Sequence, residues 1–209
     1  HEHRRQRQMC IRDSNTIVVT IGIISLLLSS STMSAQRDEA TVAVATNFMP
    51  TIQTLKKDFE AATTHKLTIV SGASGKLFAQ IIHGAPLDIF LSADRVLPER
   101  LAKIGLSGRD SRFTYAVGRL AVWFPKQANT PVRQELAEKD LIKLLRESPR
   151  IAHANETVAP YGLASVQVME SLGVFEELKP RIVRGENVGQ TFGMISSGNA
   201  DAGFIARAQ

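Results

Sequence analysis

The chain has 209 residues, of which 44% are hydrophobic, 22% charged and 6% aromatic. That size and balance suit one globular unit or two small lobes, and they exclude collagen-like and low-complexity architectures. The formal charge is +5. Arg4, Arg5, Arg7 and Arg12, set against Glu2 and Asp13, confine part of that charge to the N-terminal stretch. The mild excess elsewhere gives no case for nucleic-acid binding.

Residues 1–35 read as a targeting signal rather than as structure. A basic flank precedes the apolar run 17–28 (IVVTIGIISLLL), and small residues follow, ending Met33, Ser34, Ala35. Cleavage after Ala35 is the expectation, and an uncleaved signal anchor is the competing reading. The run is short for a membrane span. Cys10, the single cysteine, lies in this stretch. The remainder therefore has neither a disulfide framework nor thiolate chemistry.

From residue 42 the chain repeats one theme. The apolar run 42–45 (VAVA) predicts a buried strand, and Thr46 and Asn47 are expected to cap the helix that follows. Pro50 suits that helix's first turn, and Ile52, Leu55 and Phe59 form its apolar face. Residues 67–70 (LTIV) predict a second strand, residues 71–75 (SGASG) a loop, and Leu77, Phe78, Ile81 and Ile82 a second helix. Residues 87–91 predict a third strand, and a short helix through Leu101 ends at Gly105. The β-rich run 113–124 is expected to cross between lobes. Thr130 and Pro131 should open a helix that continues through Leu145. Residues 150–154 (RIAHA) and 182–183 predict strands, each leading through a polar loop to a helix, and residues 202–206 (AGFIA) a last strand. Strand, loop and helix in this order predict an α/β fold with a parallel or mixed sheet.

Four loops share one character: Thr46 with Asn47, residues 71–75, residues 159–162 and residues 186–188. Each follows a strand and precedes a helix. Each offers backbone N–H groups, three add neutral hydroxyl or amide side chains, and Lys76 and Arg184 stand only nearby. Unpaired N–H groups at helix starts, with the helix dipole behind them, suit an oxyanion. Enzyme chemistry is harder to assemble. His65, His83 and His153 are isolated and read as surface or turn residues. HExxH, GxSxG and dinucleotide motifs are missing from the sequence, and Leu77 stands where a phosphate-binding GxxxxGK motif needs Ser or Thr.

In order along the chain, VAVATNF (42–48), SGASGKLFAQIIHGAPLDIFLSAD (71–94), VAPYG (158–162) and GENVGQTFGMISSGNADAGFIA (185–206) resemble the periplasmic molybdate-binding proteins of bacterial ABC transporters. The resemblance implies a two-lobed periplasmic binding protein type II fold with the ligand cleft between the lobes. Residues 1–35 would be the leader, 36–118 the first lobe and 119–209 the second, with the family's return segment to the first lobe missing. It implies a periplasmic, monomeric receptor without catalytic activity or cofactor, whose ligand is molybdate or tungstate and whose partner is the membrane permease. Thr46, Asn47, Ser74, Tyr161 and Val188 match the family's ligand positions. Ala206 stands where some members carry a tyrosine, and Tyr161 is expected to supply that hydroxyl. The alternatives are a receptor for another oxyanion, such as sulfate or phosphate, and a truncated chain without function.

Overall fold

A computed structural model describes residues 38–125 and 136–209. The leader and the Thr130–Pro131 helix start lie outside the described residues. β1 (Glu39–Ala45), β2 (Lys66–Gly72) and β3 (Ile89–Leu91) form a parallel sheet in the order β2-β1-β3. Helices α1 (Met49–Ala62), α2 (Ser74–Ile82) and α3 (Val96–Lys103) follow these strands in turn. This is the first lobe.

The second sheet runs β4-β7-β5-β6, formed by β4 (Leu120–Trp123), β5 (Ile151–Ala154), β6 (Ile182–Gly185) and β7 (Ala202–Ala206). β5 is parallel to both its neighbours, and β4 alone is antiparallel. Helices α4 (Glu138–Glu147), α5 (Pro160–Ser171), α6 (Phe175–Leu178) and α7 (Val188–Ser196) complete this lobe. Its core joins Leu145, Ile151, Met169, Leu178 and Phe204, all sealed from solvent. A second cluster around Ile195 and Ala152 takes in Trp123, whose ring stacks on Phe192 at 5.3 Å. Trp123 is thus a packing residue.

In both sheets a central strand has a parallel neighbour on each side, β1 between β2 and β3, and β5 between β6 and β7. Chain connections leave such a strand in opposite directions, which opens a crevice at its carboxyl end. All four polar loops sit at carboxyl ends of strands. The two lobes meet there: Gly75 N–H donates to Val158 O at 2.8 Å, and Gly189 N–H to Thr46 Oγ1 at 3.2 Å.

Several expectations need correction. Thr46 and Asn47 do not cap a helix; with Phe48 they form a 3-10 turn, and α1 begins at Met49 without a side-chain cap. The helix-capping oxygen is drawn elsewhere, since Thr46 Oγ1 is occupied across the cleft. Of the apolar face of α1 only Ile52 is buried, while Leu55 stays 49% and Phe59 39% exposed. An amphipathic pattern names the face a helix could bury, but a three-stranded sheet gives it a narrow seat. The β-rich run 113–124 is a strand only from Leu120. Before that it passes from one sheet to the other outside any strand. Tyr115 ties it down by donating to Ser92 O at 2.9 Å and meeting Phe48 edge-on at 5.0 Å. His153 is a core residue with no exposed surface, not a surface or turn residue. It lies in β5, which is covered on both faces, so no polar alternation betrays its burial.

Candidate functional site

The five residues singled out from the sequence converge. Thr46, Asn47, Ser74, Tyr161 and Val188 line one small space of about 10 Å³ between the lobes, the room one water needs. They arrive there from both lobes and from four different strand ends.

Three of the loops prove shorter than the sequence suggests, and this sharpens their chemistry. β2 runs to Gly72 and α2 starts at Ser74, so Ser74 occupies a first helical turn. Tyr161 lies in the first turn of α5, behind Pro160. Val188 is the first residue of α7, whose cap Asn187 accepts from Gln190 N–H at 2.9 Å. First-turn N–H groups have no carbonyl partner within their own helix, so three helix starts bring donors and positive dipole ends to one cleft, although the N–H groups of Gly75, Gly189 and Gln190 are already engaged.

The side chains add donors. Ser74 is 1% exposed, and its Oγ accepts from Ala93 N–H at 3.0 Å. Its lone pair is thereby engaged while its O–H is left to donate. Burial pushes the Tyr161 phenol up, which keeps it protonated and a donor near neutrality. Burial, and secondarily Tyr161 nearby, pushes Tyr115 up to about 12. Asn47 Oδ1 is buried and has no hydrogen-bond partner among the described residues. Rotating that carboxamide exchanges its oxygen for its NH₂, so the same side chain can offer two donors.

Charge is excluded from the cage itself. Among the described residues that line it, none is Lys, Arg, Asp or Glu. Lys76 in the first lobe and Glu186 in the second, each about half exposed, form an ion pair across the cleft. Arg184 pairs with Glu156 at 3.0 Å. The two nearby cations are therefore answered by acids, and the carboxylate of Glu186 is not a free acceptor. Among the described residues no group of three or more His, Cys, Asp or Glu side chains could hold a metal ion.

Sequence reasoning missed two contributors. Ala93 follows β3 and orients Ser74, and Gly189 joins Thr46. Residues 92–94 (SAD) do stand at a strand end before a helix, the signal that marked the other loops. Gly75 is also more than a loop residue: a Cβ there would stand 2.9 Å from Val158 O in the opposite lobe.

Residues 40–209 match the family described as bacterial extracellular solute-binding protein. The chain is 38% identical over 175 residues to the molybdate-binding protein ModA of Azotobacter vinelandii, covering 84% of this chain and 67% of that one. It belongs to the periplasmic molybdate-binding proteins of ABC transporters. Another member, ModA of Rhodobacter capsulatus, is 35% identical over 183 residues, covering 88% of this chain and 70% of the relative. The solved structure of the Azotobacter vinelandii periplasmic molybdate-binding protein superposes with a TM-score of 0.71 at 40% identity, over 80% of this chain and 71% of the other. As a member of this family the chain has the two-lobed α/β fold with helices flanking a cleft, and the crevice between its two sheets is that cleft.

Proposed function

We infer that this chain holds a tetrahedral dianion, molybdate or tungstate, in the cage between its lobes and delivers it in the periplasm to the membrane permease of an ABC transporter. The observation that carries the reading is the convergence of Thr46, Asn47, Ser74, Tyr161 and Val188 on one charge-free space. The names of the similar proteins support the choice of anion. In this reading residues 1–35 direct export, the lobes divide near residues 118 and 119, and the receptor acts as a monomer.

A fully ionised oxyanion can only accept hydrogen bonds. Hydroxyls of Thr46, Ser74 and Tyr161, the Asn47 amide and the N–H of Val188 would replace its hydration shell, each bond to the charged ligand contributing about 1.5–3 kcal/mol. Because the donors are neutral, discrimination comes from their spacing rather than from net charge. The cage is tight, so the ligand must part the walls. The Thr46–Gly189 contact at 3.2 Å is the one it would displace, turning both donors toward itself. Phosphate carries a proton near neutrality and needs an acceptor, and Glu186 is engaged by Lys76. Phosphate is accordingly the weaker ligand.

Isothermal titration of the chain with molybdate, tungstate, sulfate and phosphate tests this. Saturable 1:1 heats with molybdate and tungstate at much lower concentration than with sulfate are expected. A folded sample that gives no heat and no thermal stabilisation with either metal oxyanion would overturn the reading.

A further inference from the structure

Three site residues, Thr46, Asn47 and Ser74, belong to the first lobe, and one side chain outside the cage braces the elements that hold them. Tyr115 stands on the segment between the two sheets, ahead of β4. Its ring meets Phe48 edge-on at 5.0 Å, at the end of the 3-10 turn that carries Thr46 and Asn47. Its hydroxyl donates to Ser92 O at 2.9 Å, in the loop that leads from β3 to α3.

The carbonyl of Ser92 and the N–H of Ala93 are the two ends of one peptide group. Among the described residues no peptide bond is cis, so these ends point in opposite directions. Tyr115 holds one end, and the other donates to Ser74 Oγ at 3.0 Å. The hydrogen bonds therefore run in one sense, from the Tyr115 hydroxyl through the peptide to Ser74, whose own O–H is left for the cage. Bonds aligned head to tail polarise one another. A donor on Ser92 O strengthens the Ala93 N–H as a donor, and that in turn strengthens the Ser74 O–H. Burial, and secondarily Tyr161, raises the Tyr115 phenol to about 12, so the first link keeps its proton at neutral pH. The loop has a second anchor: Asp94 Oδ1 accepts from Ser92 Oγ at 3.1 Å and from Leu97 N–H at 3.0 Å. That anchor holds the loop independently of Tyr115, so the tyrosine's part in binding can be separated from the loop's fold.

We propose that Tyr115 is a positioning residue for anion binding, which orients and polarises the Ser74 hydroxyl through the Ser92–Ala93 peptide. This rests on the oxyanion reading of the cage. Tyr115 does not line the cage, whereas Ser74 and Ala93 do. Its hydroxyl therefore acts on the ligand only through Ser74 and the loop beside it.

Two measurements on the full chain decide it, both with Tyr115→Phe, which removes the hydroxyl and keeps the ring on Phe48. In the first, the Ala93 amide proton is followed by NMR in the ligand-free chain. Its signal should move upfield on substitution, because its bond to Ser74 weakens, and an unmoved signal would overturn the proposal. In the second, calorimetry with sodium molybdate should show binding weakened about fivefold. A mere structural brace and a relay through Ser74 then part company in a double-mutant cycle with Ser74→Ala. Once the Ser74 hydroxyl is gone, Tyr115→Phe should change the affinity by less than about twofold. An equal loss in both backgrounds, or no loss in the chain that retains Ser74, would overturn the relay. Failure of the cage reading looks different: the unsubstituted chain then gives no heat with molybdate, and the Ala93 signal still decides whether Tyr115 acts on Ser74.

Discussion

In the second lobe every residue of β5 and β7 is buried, whereas in the first only the Val42–Ala45 end of β1 reaches that state. β2 has only exposed and half-buried positions, and no residue of β3 is fully covered. The same inequality appears in the helices: α4, α5 and α6 close on Phe204 and Met169, while α1 leaves Leu55 and Phe59 open. Two lobes assembled from the same strand–helix unit thus carry different shares of the stability. The cage, however, takes its walls from both. Stability and binding should therefore separate under mutation, and the following substitutions are ways to force that separation.

The largest effect is expected at Phe204→Ala, which empties the centre of the second-lobe core and should cost about 3–5 kcal/mol in urea unfolding followed by circular dichroism. Leu55→Ala in the first lobe removes a side chain already half in water and should change stability by well under 1 kcal/mol. Equal losses at the two positions would refute the contrast. Ser74→Ala should leave the unfolding midpoint nearly unchanged yet weaken molybdate binding by roughly 10- to 100-fold in calorimetry, since one bond to a charged ligand is lost. Gly75→Ala should weaken binding by about tenfold for a different reason: its methyl would press on the Val158 carbonyl and hold the lobes apart. Small-angle scattering should then show the substituted chain more open in the presence of molybdate. Glu186→Gln breaks an exposed ion pair, so a loss of affinity of at most about fivefold is expected, fading at high salt.

Acidity probes the better-sealed lobe. Burial holds the His153 imidazole below its usual range, with its Nδ1 at 2.6 Å from Ala154 O and its Nε2 buried without a partner among the described residues. The unfolded chain therefore takes up a proton that the folded chain refuses, and stability should fall as pH drops below about 6.5. His153→Leu should flatten that part of the thermal-midpoint profile, and an unaltered slope would show that other groups govern it.

Much of this was legible in the sequence, for identifiable reasons. Parallel strands ending at small polar residues before a helix leave a strong pattern, and all five site positions read from it and from the family resemblance lie in one cleft. What escaped was whatever depends on distant partners. Leu55 and Phe59 advertise an apolar face, but only the width of the sheet opposite decides whether it is covered. Asn47 and Thr46 have the composition of caps, and only the approach of Gly189 shows that the hydroxyl is used across the cleft. His153 has no local signature at all, because a strand buried on both faces shows no alternation.

The Thr46–Gly189 contact joins residues 143 positions apart. Loop closure over such a separation comes late, after each lobe has found its own local contacts. A dianion held at that junction would meet a finished cage only in the native chain, and hardly at all in the transition state for folding. It should slow unfolding while leaving the folding rate almost untouched. The ligand would act as a clasp on the completed molecule, lengthening its lifetime without helping it to form.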